Sequence, residues 1–276
     1  GEAIHCYLNP GRIILGTSNA ETEGKCISLL SNISNKILSM NIPSAEMVKH
    51  GINSFLSTSI VFANSLADVC EESGANIDDV VKGLKSDPRI GQKAYLSPGI
   101  GFSGGTLGRD LKVLDKFNKS ISGPAELFGF IHETNLKRKT TIVKKIIKLI
   151  DSSKDKTVGI LGLTYKPGTS TLRRSLPLEI VDLLINEGAI VKVFDPKADY
   201  AELSFEPQFI ITKSIEELSK NTDIFVLLTE WPEFKEFDWE SISSKMNTSL
   251  FFDTKNFLNR NEMKTIGFEY YSTGKS

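Results

Sequence analysis

The sequence predicts a mixed α/β protein in which a helical region is followed by a parallel α/β sheet. Two patterns indicate this architecture. Between residues 45 and 155, apolar side chains recur at helical spacing, most clearly along residues 44–72. From Thr157 onward, short and wholly apolar runs alternate with amphipathic stretches, which is typical of parallel strands buried on both faces. The 276 residues are enough for two modest domains.

The first 44 residues predict an incomplete unit. Residues 12–16 form a short apolar run that ends in glycine and indicates a strand. Residues 21–40 predict a helix, because apolar side chains recur there at helical spacing (Cys26, Leu29, Leu30, Ile33 and Ile37). One strand and one helix cannot bury a core alone, so we expect this unit to belong to a larger sheet.

The helical region is dominated by one long helix. We expect it to begin at Ser44 as the N-cap and to end at Gly74. Shorter helices are predicted at residues 78–84 and 124–150, and the proline- and glycine-rich residues 87–108 predict a loop. A helix of this length with a broad apolar face is typical of a subunit interface.

The last third predicts a parallel sheet. Its expected strands and helices are residues 158–163, 190–196, 224–228 and 250–253 for the strands and residues 178–186 and 215–219 for the helices. Ligands of such sheets bind at the carboxyl ends of the strands. The loop at residues 164–175, directly after the first strand, is therefore the predicted binding loop.

The composition excludes several classes of partner. A formal net charge of -1 and 24% charged residues give no reason to expect nucleic acid or an anionic membrane as a partner. No apolar run approaches the roughly 18 residues of a membrane-spanning helix. Three cysteines at irregular spacing indicate reduced thiols and a cytoplasmic protein, and the three histidines show no metal-ligand spacing.

Lys49 and Asn53 are four residues apart on the long helix and therefore share one face. A cation beside an amide donor could stabilise an oxyanion. The alternative is a solvated lysine next to a structural asparagine.

Residues 96–110 contain five glycines, which permit close approach of the backbone to a ligand. The alternative is a flexible lid or linker. This is not a dinucleotide fingerprint, because no apolar strand runs directly into it. Arg109 and Asp110 at its end could start a helix, with Asp110 as the N-cap.

Three cations, Lys166, Arg173 and Arg174, lie in the predicted binding loop after the first strand of the sheet. Cations in this place suit a phosphate, although a solvated loop is the alternative. The strand itself lacks a three-glycine pattern, so NAD binding at this strand is not supported.

An ordered set of short motifs extends along nearly the whole chain. It comprises residues 9–13, residues 45–49 with Asn53, Asn64, residues 70–71, residues 87–91, the glycine loop ending at Asp110, residues 162–167 with Arg173 and Ser175, and residues 194–196. With these motifs the chain resembles the UDP-glucose/GDP-mannose dehydrogenase family of nucleotide-sugar 6-dehydrogenases.

The resemblance implies a three-part enzyme that oxidises a sugar C6 alcohol to a uronic acid with NAD. An N-terminal Rossmann domain would bind NAD, a central helical domain would form a homodimer, and a C-terminal Rossmann-like domain would hold the nucleotide sugar. On this basis we expect a remnant of the NAD-binding domain at residues 1–44, the dimerisation domain at 45–155 and the sugar-nucleotide domain at 156–276.

The resemblance also implies roles for particular residues. Lys49 and Asn53 correspond to oxyanion stabilisers, and Asp110 corresponds to a group that assists proton transfer. The substrate contacts implied are Tyr95, Leu96, Ser97, Pro98, Gly99, Ser103, Lys166 and, reaching the substrate of the partner subunit, Arg89. Arg109 and Arg173 correspond to cofactor contacts.

One departure from the family pattern concerns the chemistry. Thr106 stands where the family has its nucleophilic cysteine. A thiol has a pKa near 8.5 and ionises readily beside a cation, whereas an unassisted hydroxyl needs an adjacent base. Three outcomes follow: the reaction stops after one oxidation, the aldehyde reacts as its hydrate, or the protein is not a dehydrogenase.

The sequence leaves three hypotheses open. In the first, the chain is part of a longer NAD-dependent enzyme whose cofactor domain precedes Gly1, and it is inactive alone. In the second, it is an inactive relative that still binds a nucleotide sugar, as Thr106 favours. In the third, it is a dimerisation scaffold without a ligand.

Overall fold

The computed structural model describes residues 3–103, 105–123, 126–204 and 206–275. Within them the helices are α1 (Ala3–Leu8), α2 (Ala20–Leu30), α3 (Ile42–Ser73), α4 (Ile77–Ser86), α5 (Leu107–Ser120), α6 (Leu127–Leu149), α7 (Leu176–Asn186), α8 (Ile215–Ser219), α9 (Trp239–Ser243) and α10 (Arg260–Ile266). The strands are β1 (Ile13–Gly16), β2 (Ile37–Met40), β3 (Thr157–Leu161), β4 (Ile190–Phe194), β5 (Ile210–Ile211), β6 (Ile224–Leu227), β7 (Leu250–Asp253) and β8 (Glu269–Ser272). The predicted order of a helical region before a parallel α/β sheet is confirmed.

The first unit was predicted as one strand and one helix, and the structure adds two further elements, α1 and β2. The helix expected over residues 21–40 ends at Leu30, and Ile37 lies in β2 instead. The physical reason is that residues 37–40 pair in parallel with β1, which satisfies their backbone groups as a helix would. Gly16 lets β1 approach α3 closely, because a Cβ there would lie 2.9 Å from the Cβ of Ala45.

Helix α3 begins earlier than predicted. Its N-cap is Asn41, whose Oδ1 accepts a hydrogen bond of 2.8 Å from the backbone N–H of Ser44, so Ser44 as N-cap was wrong. Pro43 fits the first turn because its missing N–H would have no partner there. The predicted end is confirmed: Gly74 is the C-cap in the left-handed conformation, with φ of 76°.

Helix α5 begins at Leu107, shortly before the start that the sequence suggested at Arg109 and Asp110. Thr106 is its N-cap residue, and Asp110 lies in its first turn, so the prediction of Asp110 as N-cap was wrong. The carboxylate of Asp110 instead turns inward and is buried against α3. Helices α3, α5 and α6 pack around a small apolar core (Ile60, Val61, Phe102, Leu111 and Ile131). The predicted start of α6 at Pro124, and Gly104 in the glycine loop, lie outside the described residues.

The C-terminal sheet is parallel throughout, with the strand order β5-β4-β3-β6-β7-β8. Strands β3 and β6 are wholly buried, because α6 and α7 cover one face and an aromatic cluster covers the other. The sequence did not predict β5 or β8. The strand order switches at β3: the chain adds β4 and β5 on one side of β3, and then β6, β7 and β8 on the other, so the loop after β3 opens at the edge where ligands of such sheets bind.

None of the described helices is long and apolar enough to cross a membrane. Among the described residues there is also no group of three or more histidine, cysteine or acidic side chains that could hold a metal ion.

Candidate active site

Asp110 is the centre of a polar cluster between α3 and α5. Its side chain is only 1% exposed. Asn53 donates a side-chain hydrogen bond from Nδ2 to Oδ2 of Asp110. Oδ1 lies 3.3 Å from Nε of Arg109 and 3.6 Å from Nδ1 of His50. Asn53 and Asp110, which are 57 positions apart in the sequence, are thus in direct contact.

The pKa of Asp110 is lowered from its ordinary value. Burial is the largest influence and by itself favours the neutral acid, but it is outweighed by the hydrogen bond from Asn53, by Arg109 and by the nearby His50. Asp110 is therefore a carboxylate at neutral pH. A carboxylate held in this way orients cationic or donor groups better than it takes up a proton.

Lys49 lies one turn before Asn53 on α3, and its side chain is exposed. Among the described residues it forms no ion pair or hydrogen bond through its ammonium group. The ammonium is consequently available to a ligand near the N-terminal end of α3.

Thr106 lies one helical turn before Asp110. The backbone N–H of Asp110 donates to the carbonyl of Thr106 over 3.1 Å. The Thr106 side chain is exposed and makes no capping hydrogen bond. The hydroxyl is therefore placed at the positive end of α5 with no base bonded to it.

The segment that precedes Thr106 is held by side chains of α3 and α6. The N–H of Gly99 donates to Oδ1 of Asn64 over 2.7 Å, and Nε of Arg138 donates to the Gly99 carbonyl over 3.0 Å. Asn135 binds both backbone groups of Phe102, each over 2.9 Å. These bonds argue against the flexible-lid alternative for residues 99–102. The sequence motifs included Asn64, but neither Asn135 nor Arg138.

Gly101 is required by this arrangement. Its φ is 105°, in the region that favours glycine, and a Cβ there would lie 2.6 Å from Oδ1 of Asn135. A side chain at residue 101 would displace the amide that binds Phe102. The glycine content of the loop thus has a structural reason at this position.

A cleft of about 570 Å³ adjoins Thr106. Its lining comes from both halves of the chain: Ser103, Gly105, Thr106, Leu107, Tyr165, Lys166, Thr171, Arg173 and Arg174. Three of these residues are cations and none is a carboxylate, so the cleft favours an anion such as a phosphate. The structure thus brings the predicted binding loop and the glycine loop to one cavity.

The binding loop after β3 is fixed by Asp195. One of its oxygens, Oδ2, accepts hydrogen bonds from the backbone N–H groups of Leu163 and Thr164, over 2.7 and 3.0 Å, and from the indole of Trp231. Ser175 closes the other end of the loop by donating to the Leu163 carbonyl. The motif at residues 194–196 therefore serves the loop that carries Lys166.

Two family models match the chain. Residues 43–137 match the central domain of the UDP-glucose/GDP-mannose dehydrogenase family, and residues 159–260 match the UDP binding domain of the same family. The chain belongs to the UDP-glucose/GDP-mannose dehydrogenase family. The family resemblance inferred from the sequence motifs is thereby confirmed.

Known members of this family align along the whole chain. It is 36% identical over 280 residues to "UDP-glucose 6-dehydrogenase" of Rickettsia felis, covering 99% of this chain and 62% of that protein. It is 33% identical to "UDP-glucose 6-dehydrogenase TuaD" of Bacillus subtilis, covering 100% of this chain and 60% of that protein. The chain thus spans about three fifths of the length of the curated relatives it matches.

Solved structures support the fold. The structure of a UDP-glucose dehydrogenase from Pyrobaculum islandicum superposes with a TM-score of 0.87 at 22% identity, over 99% of this chain and 61% of that chain. The structure of a UDP-D-ManNAc dehydrogenase from Pyrococcus horikoshii gives a TM-score of 0.83 at 24% identity, over 100% and 62%. At these identities the likeness shows the fold alone.

Within this family fold, the remaining predicted substrate residues are divided between two places. Gly99 and Leu96 are buried, whereas Ser97 and Tyr95 are exposed. Arg89 does not reach the cleft at Thr106: it pairs with Asp87 over 2.6 Å and lines a separate apolar groove on the outer side of α3. Within one chain, the structure therefore separates Arg89 from Lys166 and Arg173.

Proposed function

We propose that this chain provides the catalytic and sugar-nucleotide-binding part of an NAD-dependent dehydrogenase. Its substrate would be a nucleotide sugar of the UDP-glucose type, oxidised at C6 toward a uronic acid. The observation that carries the proposal is the contact of Asn53 with Asp110, one turn from Thr106, which lines a cleft together with three cations. Family membership supports the same assignment.

The cleft explains how the substrate would bind. Lys166, after β3, is positioned to hold the diphosphate. The backbone of Gly99 is fixed by Asn64 and Arg138, and residues 95–99 would contact the nucleoside. With the diphosphate at Lys166, the sugar would extend toward Thr106 and Asp110.

The helical cluster supplies the groups for oxidation. Lys49 and Asn53 would stabilise the negative charge that develops on the C6 oxygen when hydride leaves carbon 6. NAD, when bound, supplies the hydride acceptor. Arg173, which lines the cleft, and Arg109, which contacts Asp110, are the cations that would bind its phosphates. The domain boundaries at residues 45 and 156 stay predictions, although the first falls inside α3.

We also propose a homodimer formed through α3. Phe55, Phe62 and Val69 are seven residues apart, so they form one stripe, and they are 72%, 50% and 62% exposed. A partner would cover this stripe and the adjacent groove, which contains Arg89 and Tyr95. All three cysteines are free thiols, which supports the proposal of a cytoplasmic protein.

The proposal is tested with the full-length protein and a panel of UDP- and GDP-sugars. NADH formation would be followed by absorbance, and the NADH formed per sugar would be counted at completion. A count near one means a single oxidation to the aldehyde, and a count near two means that water or Thr106 takes over the role of the thiol. No turnover with any sugar contradicts the dehydrogenase.

A second function is favoured by Thr106 itself. Its hydroxyl makes no capping bond and has no base bonded to it, so covalent catalysis is not supported. The chain would then bind a nucleotide sugar without oxidising it. Absent turnover combined with a rise in melting temperature on adding UDP-glucose would support this function. No rise with any nucleotide would support the scaffold without a ligand.

A further inference from the structure

His50 lies beside the buried carboxylate of Asp110, which its position in the sequence did not indicate. It lies one turn before Asn53 and Ser54 on the buried side of α3, and its Nδ1 is 3.6 Å from Oδ1 of Asp110. That nitrogen is shielded from solvent and has no hydrogen-bond partner in the described part of the chain. The side chain as a whole remains 29% exposed, so the remainder of the ring reaches the surface.

The two carboxylate oxygens of Asp110 face different partners. Asn53 holds Oδ2, which leaves Oδ1 to His50 and Arg109. An approach of a few tenths of an ångström would bring Nδ1 of His50 into hydrogen-bond range of Oδ1, and such bonds commonly tighten when substrate binds. With Nδ1–H turned toward a carboxylate, the lone pair of the imidazole lies on Nε2, on the opposite side of the ring.

The site needs a group that takes up a proton near neutral pH. Thr106 does not ionise there unaided, and Asp110 is stabilised as a carboxylate with a lowered pKa. Histidine is the side chain whose charge ordinarily changes between pH 5 and 8. Asp110 of α5 is the charged group that contacts His50, and Arg109 contacts the same carboxylate. On α3 itself, Glu46 lies one turn before His50, and Lys49 is its neighbour in the sequence.

We propose that His50 is the general base of the oxidation and that Asp110 orients it. This rests on the proposed dehydrogenase. The C6 hydroxyl would give its proton to Nε2 of His50 while the hydrogen on carbon 6 leaves with its electron pair for NAD. The alcohol becomes an aldehyde, NAD becomes NADH, and the imidazolium, stabilised by Asp110, passes its proton to water.

His132 provides a matched comparison. Its Nδ1 is also buried without a hydrogen-bond partner, but its ring lies against Gly108 on the other side of α5. Among the described residues no ion pair joins His132 to a carboxylate. A histidine that is merely buried should therefore behave like His132, and only the histidine paired with Asp110 should act as a base.

The first test needs no turnover. The side-chain nitrogen signals of the histidines would be recorded by NMR in the full-length wild type and in Asp110→Ala, with His50→Gln and His132→Gln to assign them. The pairing predicts that neutral His50 carries its proton on Nδ1 in the wild type and loses this preference in Asp110→Ala, while the signals of His132 stay unchanged. A His50 that carries its proton on Nε2 in the wild type overturns the pairing and the proposal.

The second test uses steady-state kinetics. His50→Gln should lower kcat by about 10²–10⁴-fold, leave KM for the sugar within about threefold and remove the acidic limb of the pH profile. His132→Gln should stay within about twofold of the wild type. If the wild type is active and His50→Gln is equally active, the role of His50 as general base is wrong, but the proposed dehydrogenase function stands. If the wild type is inactive with every sugar, both the dehydrogenase function and the role of His50 are wrong.

Discussion

The helical region and the C-terminal sheet differ in what they bury. Strands β3 and β6 bury almost nothing but apolar side chains, and the buried aspartates of the sheet lie at strand ends. The interior between α3, α5 and α6 instead contains many polar side chains: Asn53, Ser54, Ser57, Asn64, Asp110, Asn135 and Arg138. Several of these fix loop backbone or one another. The sheet is thus built for stability, whereas the helical region gives up apolar packing to position groups.

This contrast predicts the largest stability effect in the sheet. Ile160 is completely buried in β3, so Ile160→Ala should lower the free energy of unfolding by about 2–5 kcal/mol. Ser57→Ala removes only a bond to the helix's own Asn53 carbonyl and should cost about 1 kcal/mol or less. Denaturant unfolding of both variants measures the difference. Equal losses of unfolding free energy in the two variants would contradict this difference between the sheet and the helical region.

Catalytic activity, in contrast to stability, should depend more on the helical region than on the sheet. Lys49→Ala should lower turnover by about 10²–10³-fold, because it removes a stabiliser of the oxyanion, while the melting temperature stays close to that of the wild type. Lys264→Ala, at an exposed position of α10, is the control. Turnover within twofold of the wild type for Lys49→Ala would remove this lysine from the mechanism.

Acid should reveal the buried carboxylate of the helical region. The pKa of Asp110 is lowered by folding, so its ionised form stabilises the fold above the unfolded value near 3.9, and this contribution is lost as pH falls through the folded pKa. The unfolding free energy of the wild type should therefore fall more steeply below about pH 4 than that of Asp110→Asn. Parallel pH curves for the two proteins would contradict the lowered pKa.

Replacing Thr106 by cysteine should change how far the sugar is oxidised. Thr106→Cys exchanges one exposed side chain at the start of α5, so stability should hardly change. A thiol at a helix N-terminus ionises more readily, which should raise the NADH formed per sugar toward two. Thr265→Cys on α10 is the control. An unchanged count in Thr106→Cys would show that the thiol is not what limits the second oxidation.

The sequence predicted the four inner strands of the sheet, because these are mostly apolar runs, but not the edge strands β5 and β8. It placed the start of α5 too late, at Arg109 and Asp110, because the adjacent glycines indicated a loop that continues to Gly108, whereas the helix begins at Leu107. Ile37 was misassigned because an apolar residue at helical spacing can equally belong to a short buried strand. Local patterns therefore sufficed where burial is uniform and failed at the edges of loops.

The site was predictable only as a set of residue types. Spacing and family motifs sufficed to choose Lys49, Asn53 and Asp110. The contact between α3 and α5 that joins Asn53 to Asp110 depends on tertiary packing, which local patterns do not reveal. His50 shows the same limit, since its neighbour in space is 60 residues away in sequence. No local signal distinguishes it from His132.

The most direct test of the account is sugar-dependent NADH formation by the full-length protein beside its Asn53→Ala variant. Asn53 is the residue that binds Asp110 and faces the proposed oxyanion. The account predicts measurable turnover of a UDP-sugar by the wild type and a loss of at least about 100-fold in the variant, with both proteins folded. Equal turnover by the two proteins would contradict an active site at this cluster.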